Sequence, residues 1–273
     1  MRAVILTDNT PGCGLGGEWG LCVYIEHAGH TVLLDTGASG LFAENAAALG
    51  IDLGGVEYGV LSHAHYDHAD GMAAFFAAND TAKFHLRAGT GENCFGCHGE
   101  SLDYIGIRRG TLLSYRDRIE FVSGAYTLYP GAYLLPHTTP GLAAVGERAG
   151  MFVDADDRRR RRPDDFAHEQ TLVFETERGL AVFSSCSHAG VMNILREVRE
   201  ALPGREICAL VGGFHLYETK PDEVAVLADE LLRSGVETVV TGHCTGDEAL
   251  AILRHTLGGR VRSMYSGMEI HFA

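Results

Sequence analysis

Leu61-Ser62-His63-Ala64-His65-Tyr66-Asp67-His68 continues directly from an apolar run, and its reading decides how the rest of the chain is understood. The run over 56–62 has the composition of a buried strand, so His63 and His65, two apart on an extended segment, point to the same side. That suits one metal ion. Asp67 and His68 fall where the chain should turn into a helix, and adjacent residues there diverge enough to serve a second ion nearby. Neutral imidazole and carboxylate are ligands that zinc, iron(II) and manganese(II) accept. The plainer alternative is a polar loop capping a helix, which does not call for three histidines and an aspartate within six residues.

Each ion needs ligands from elsewhere, because three protein ligands plus water is the usual catalytic count. The second half of the chain ends three apolar strands in histidine-bearing turns: Ser184-Ser185-Cys186-Ser187-His188, Gly212-Gly213-Phe214-His215 and Thr241-Gly242-His243-Cys244. Residues just past the C-terminal ends of such strands face a common crevice. His63, His65 and His188 are assigned to one ion, and Asp67, His68 and His243 to the other. His215 is left to substrate binding or proton transfer, with a hydrogen-bonded turn histidine as the alternative.

Around these turns, β-like segments are expected at 3–6, 21–26, 31–35, 83–86, 171–176, 180–185, 207–211, 236–241 and 261–272. Helices are expected at 40–49, 71–78, 190–201, 221–234 and 246–256. The Gly-rich stretch 88–110 and the Gly, Pro and charge-rich stretch 136–166 read as long loops carrying substrate contacts. A strand-then-histidine rhythm in both halves predicts an α/β chain forming a four-layer αβ/βα sandwich. In this arrangement two mixed sheets lie face to face, helices lie outside, and the metal site lies along one edge. The whole chain, 1–273, is expected to form this one domain.

With 273 residues and 46% hydrophobic content, the chain can fill a substantial core. No apolar run approaches the roughly 20 residues that span a bilayer, and the N-terminus reads as a strand rather than a signal peptide, so a cytoplasmic protein off the membrane is expected. Seven scattered cysteines do not read as a disulfide framework. A net charge of −14 disfavours nucleic acid as a partner. The five arginines at 158–162 are flanked by Asp154, Asp156, Asp157, Asp164 and Asp165, and read as a solvated, salt-bridged surface loop. Cys94-Phe95-Gly96-Cys97-His98 has the spacing of c-type haem attachment, which requires export. Unpaired loop cysteines, or a thiol pair with a structural, redox or second-metal role, are the readings kept.

The run 61–68 with Asp35-Thr36-Gly37 upstream resembles the metallo-β-lactamase superfamily. Thr7-Asp8-Asn9-Thr10-Pro11, Tyr104-Ile105-Gly106-Ile107, Cys186-Ser187-His188-Ala189-Gly190, Gly212-Gly213-Phe214-His215-Leu216 and Gly242-His243-Cys244-Thr245-Gly246 narrow the resemblance. They are similar to the dihydropteroate-synthase-like metallo-hydrolase branch, which includes archaeal enzymes that join a dihydropterin methyl diphosphate to a ribofuranosylaminobenzene phosphate. Two departures stand out. The superfamily's bridging aspartate falls where this chain has Ser185-Cys186, so a Cys186 thiolate or a hydroxide would take its place. The superfamily also often draws its third histidine from a His-Thr-Pro-Gly turn, which His137-Thr138-Thr139-Pro140-Gly141 resembles, so His137 is the alternative to His188.

Three functions follow as expectations. Two divalent ions about 3.5–4 Å apart, zinc first with iron or manganese as alternatives, would activate water against an ester, lactone or phosphoester. Asp67 would ligate one ion and orient the nucleophile, and His215 would protonate the leaving group. The same ions would serve a transferase by holding a diphosphate leaving group. The third reading is a non-enzymatic sensor or redox di-iron module. The partner is a small molecule, phosphorylated in some of these readings, and the oligomeric state is left open.

Overall fold

Alternating buried side chains on short β segments build two seven-stranded sheets in the computed structural model, which describes residues 1–99, 101–155 and 160–272. The first sheet runs in the order Glu269–His271, Arg2–Thr7, Cys22–His27, His30–Leu34, Tyr58–Val60, Lys83–Arg87, Ile119–Val122. The second runs Val261–Ser263, Thr238–Thr241, Ile207–Val211, Gly179–Phe183, Gln170–Thr176, Ala132–Pro136, Tyr126–Tyr129. From Glu269–His271 in the first and from Tyr126–Tyr129 in the second, three antiparallel pairings are followed by three parallel ones. The two halves thus share a shape that no sequence repeat reveals.

Three apolar clusters define four layers. Ile5, Val23, Ile25 and Leu34 of the first sheet meet Leu134, Leu172, Phe174 and Phe183 of the second. Val4, Leu33 and Phe84, on the opposite face of the first sheet, pack on Phe42 of helix Leu41–Ala48 and Phe75 of helix Met72–Ala78. Val173, Val182 and Leu210 of the second sheet pack on Leu195, Leu231 and Leu253, from helices Val191–Ala201, Pro221–Arg233 and Asp247–Leu257. Because side chains alternate along a strand, each sheet supplies both its faces from one sequence run. No helix among the described residues is long and apolar enough to cross a membrane.

Phe174 lies at the centre of this arrangement, fully buried with its ring edge-on to Phe183 at 5.7 Å. Phe174→Ala is expected to lower unfolding free energy by about 3–5 kcal/mol, as a lower urea midpoint with an unchanged slope. A loss below about 1 kcal/mol would mean that the sheets do not depend on this contact.

Three parts of the sequence reading are corrected. Segments 88–110 and 136–166 are not irregular loops: Cys94–His98, Ser101–Tyr104, Met151–Asp154 and Arg161–Pro163 form a small antiparallel sheet, and Leu142–Arg148 is a helix. Its strands are short, and the pairing that joins its two hairpins brings Cys94–His98 to Met151–Asp154 from far along the chain, so local periodicity is a weak sign of them. Cys94 and Cys97 accordingly part company, the first buried and the second exposed. The stretch 261–272 is two strands rather than one, joined to different sheets, with buried Met264 and Met268 carrying the chain between them. The arginine run falls partly in a strand rather than wholly in a loop. Arg158 and Arg159 lie outside the described residues, while Arg161 and Arg162 reach Asp154 at 3.7 Å and Asp165 at 2.7 Å.

Candidate metal centre

The ends of the parallel strands converge on one edge, and the turns leaving them are unusually constrained. Asp35, Ser187, His215 and His243 all have φ between 48° and 61°, a left-handed conformation that non-glycine residues hold only when their surroundings dictate it. A Cβ on Gly212 would lie 1.8 Å from the Ser184 carbonyl oxygen, so only glycine lets the turn carrying His215 pass the turn carrying His188. A Cβ on Gly71 would lie 2.1 Å from the Thr36 carbonyl oxygen, so this position too is held to glycine.

His63, His65 and His188 come together with one ring nitrogen each within 4.8 Å of the others. The Nε2 atoms of all three are buried and have no hydrogen-bond partner. For His63 the tautomer follows from the network. Ser62 Oγ donates to Asp35 Oδ2 at 2.7 Å, so at 2.8 Å it accepts from His63 Nδ1–H, leaving the Nε2 lone pair facing the cluster. Burial, reinforced by neighbouring imidazoles, holds all three histidines well below the ordinary range, so they are neutral and ready to ligate.

Asp67, His68 and His243 form the second set, again within 4.8 Å. His68 Nδ1 lies 2.8 Å from Asp35 Oδ2 and His243 Nδ1 lies 2.9 Å from Asn9 Oδ1, so each ring gives its Nδ1 proton to an oxygen. Their Nε2 atoms then face one another at 3.1 Å, with Asp67 Oδ2 at 3.7 Å and 3.5 Å. Two lone pairs at that distance require a cation or a proton beside them. Burial lowers the His68 pKa, but the Asp67 and Asp35 carboxylates overrule it and raise it to about 9, whereas burial takes His243 to about 3. The field that raises His68 is the field that draws a metal ion. The residues therefore fit divalent metal, in two sets.

His137 stands outside both sets. Its Nδ1 lies 2.8 Å from Glu197 and its Nε2 3.1 Å from Glu169, while Glu169 accepts the His188 and Ala189 amide protons at 2.9 Å each. The turn that resembles a ligand turn thus buttresses the loop of His188. Burial opposes the His137 charge, yet the two glutamates raise its pKa from 6.5 to about 9. Burial raises Glu197, and the hydrogen bonds from His137 and Thr139 bring it from 4.5 down to about 2. Stability from the raised His137 is complete below about pH 6.5 and is lost as pH rises through about 9. Stability from Glu197 is complete above about pH 4.5 and is lost as pH falls through about 2. The difference in Tm between wild type and His137→Gln should be widest between about pH 4.5 and 6.5 and narrow toward pH 9 and above. A pH-independent difference would show that the triad does not titrate with folding.

Several partners here escape a sequence reading. Asp164 Oδ2 holds His168 Nε2 at 2.9 Å, and His168 Nδ1 accepts the Ala64 amide proton at 3.1 Å, fixing the backbone between the first two histidines. Both ring nitrogens of His168 are engaged, so it is a positioning residue although it clusters with His65, Cys94 and Asp164. The motifs Thr7-Asp8-Asn9 and Asp35-Thr36-Gly37 were visible signals for Asn9 and Asp35; Asp164, His168 and Glu169 offered none.

A cavity of about 310 Å³ opens over the two sets, lined by Asp67, Cys186, His188 and His215 and walled by Trp19 and Tyr217. His215 is half-buried: its ring lies 4.4 Å from that of His188, its amide donates to Cys244 Sγ at 3.2 Å, and its Nδ1 is buried without a partner. Part of the cavity wall comes from Gly96, Ile105 and Met151, so the segments expected to carry substrate contacts do border it.

A sequence profile for the metallo-β-lactamase superfamily matches residues 16–122, which include Asp35 and the run His63 to His68. The structure of Tm1679, described as a metal-dependent hydrolase of the β-lactamase superfamily, superposes with a TM-score of 0.86 at 32% identity, over 100% of this chain and 99% of its own. A diphosphatase from the PhnP family shares the fold at 16% identity, with a TM-score of 0.56 over 100% of this chain and 98% of its own. In sequence, the 7,8-dihydropterin-6-methyl-4-(β-D-ribofuranosyl)-aminobenzene-5'-phosphate synthase of Methanocaldococcus jannaschii is 24% identical over 240 residues, 84% of this chain and 79% of the relative. With a solved relative 32% identical over the whole chain and a superfamily profile matching residues 16–122, the chain belongs to the metallo-β-lactamase superfamily.

Proposed function

We propose that this chain is a metal-dependent hydrolase acting on an ester- or phosphoester-type small molecule, with two divalent ions, zinc first, held by His63, His65 and His188 and by Asp67, His68 and His243. The observation that carries the reading is the set of buried Nε2 atoms with no partner beside a second set in which the Nε2 atoms of His68 and His243 face each other at 3.1 Å. Bound ions of this kind supply Lewis acidity and lower the pKa of water toward neutrality. Asp67 lines the cavity, where its carboxylate orients the attacking water. His215 Nδ1, buried and unengaged, holds the proton for the leaving group. The inter-turn packing at Gly212 fixes the turn that carries His215.

A transferase is the second reading. The archaeal synthase similarity favours it, and so do the Trp19 and Tyr217 rings, 5.7 Å apart at the cavity wall, which offer aromatic surface to a planar heterocycle. Anaerobic purification with elemental analysis, followed by phosphodiesters, lactones, thioesters and a dihydropterin methyl diphosphate with an aminobenzene acceptor, separates the readings. Colourless protein with about two zinc ions per chain and hydrolytic turnover is expected. Joining of pterin to amine without hydrolysis would replace the first reading with the second. Visible absorption that bleaches on reduction, without turnover, would remove both.

A further inference from the structure

Residues 8–21, which bring Trp19 to the cavity, form neither helix nor strand, so side-chain and turn contacts must hold them. At the start of the segment, Asp8 and Asn9 grip His243 at three atoms. Asp8 Oδ1 accepts the His243 amide proton at 3.0 Å, Asn9 Nδ2 donates to the His243 carbonyl oxygen at 3.2 Å, and Asn9 Oδ1 lies 2.9 Å from His243 Nδ1. The same Asn9 Oδ1 accepts the Gly20 amide proton at 3.3 Å, next to Trp19. At the end of the segment, the Leu21 amide donates to the Asp67 carbonyl oxygen at 3.2 Å, and a Cβ on Gly20 would lie 2.8 Å from that oxygen. Between the two, the Glu18 carboxylate accepts from the Ala38 and Ser39 amides at 3.0 Å and 3.2 Å and from Ser39 Oγ at 2.6 Å. Trp19 is 45% exposed, its ring 5.5 Å from that of His243 and edge-to-face with Tyr217 at 5.7 Å. Both ends of the segment thus rest on members of one ligand set, and its one aromatic side chain reaches the cavity wall.

Resting on the two-ion reading above, we propose that Asn9 is a positioning residue that couples occupancy of the Asp67, His68 and His243 set to the Trp19 wall of the cavity. The aromatic surface offered to substrate is then completed only when that set is filled. A metal-bound imidazole is a stronger donor through its other nitrogen, which tightens the bond from His243 Nδ1–H to Asn9 Oδ1. That oxygen also holds the Gly20 amide, so Trp19 loses freedom together with Asn9. The set of His63, His65 and His188 is braced elsewhere, by Glu169 on the His188 amide, and its filling leaves Trp19 as it was. Coupling of this kind is reciprocal: whatever frees Trp19 must also weaken the ion held by His243.

The chain has one tryptophan, so its fluorescence reads this wall without turnover. Metal-free wild type titrated with zinc is expected to show Trp19 anisotropy rising, and acrylamide quenching falling, as one of the two sites fills. His68→Ala, which keeps the other ion, should show neither change. Asn9→Ala should bind the coupled ion about 10–100-fold less tightly and, at zinc concentrations that fill both sites, keep the mobile Trp19 of the metal-free protein. The Glu18 carboxylate touches no ligand, yet by reciprocity Glu18→Ala should weaken that ion about fivefold or more. Being a half-buried loop position, it also keeps the test valid if Asn9→Ala folds poorly. Wild type holding two zinc ions with the Trp19 signal of the metal-free protein would overturn the inference and leave the two-ion reading standing. So would an Asn9→Ala protein that loses affinity yet keeps the full Trp19 response, making Asn9 a partner of the His243 ring alone. Wild-type zinc affinity in Glu18→Ala would overturn it as well. Wild type that binds no zinc would remove the two-ion reading and the inference together.

Discussion

His68→Ala is expected to cost the protein its second metal ion and, with it, essentially all turnover. His68 is buried with Nδ1 on Asp35 at 2.8 Å and Nε2 at 3.1 Å from His243 and 3.2 Å from Cys186. Alanine removes a ligand, opens a cavity in the centre and strips Asp35 of a charge-assisted partner. Loss of an outer-shell partner lowers metal affinity by roughly 10–100-fold, so loss of a direct ligand should exceed that range. Elemental analysis should fall from about two ions per chain toward one, while the set of His63, His65 and His188 keeps its occupant. Asp35→Asn is the informative companion. It keeps the shape and the Ser62 contact but weakens the acceptor for His68 Nδ1, so its affinity should fall within the roughly 10–100-fold window rather than beyond it. Full metal retention in His68→Ala would remove that residue from the ligand set.

The candidate ligand run was legible because its chemistry is local: His63, His65, Asp67 and His68 sit within six residues at a strand end, and strand periodicity fixes which side two of them face. His188 and His243 were legible for a related reason, each closing an apolar strand of a sheet whose strand ends face one crevice. What holds them was less so. Glu169 supports the His188 amide by accepting from a residue 19 positions away, and His137 reaches Glu197 across 60 positions. Nothing in composition distinguishes such carboxylates from surface ones until the fold buries them. The small sheet escaped for a similar reason. It pairs Cys94–His98 with Met151–Asp154 across more than fifty positions, and the chain just after it is tied to the segment 64–66 by Tyr66 N to Ile105 O at 2.9 Å and Ile107 N to Ala64 O at 3.1 Å. Tertiary partners, not local propensity, decide such strands.

His215→Ala is expected to keep both ions and the fold while lowering the rate by roughly 10²–10⁴-fold, the range for loss of a positioned general acid. The residue belongs to neither ligand cluster, yet its ring lies 4.4 Å from that of His188 and it lines the cavity. Burial lowers its pKa, but the neighbouring Cys244 sulfur outweighs the burial and leaves the pKa raised above the ordinary histidine value. A raised histidine pKa means the protonated donor persists to higher pH than an exposed imidazole would allow, and the alkaline limb of kcat should disappear in the variant. The loss should shrink for substrates whose leaving groups depart without a proton, such as a nitrophenolate compared with a simple alkoxide, because the donor then has less work to supply. Gln at the same position should restore part of the shape but none of the proton, and so remain close to the alanine variant in rate. Loss of a metal ion in His215→Ala would make His215 a ligand instead. Wild-type rates with full metal content would leave it a turn histidine whose left-handed backbone, φ 50°, serves packing alone.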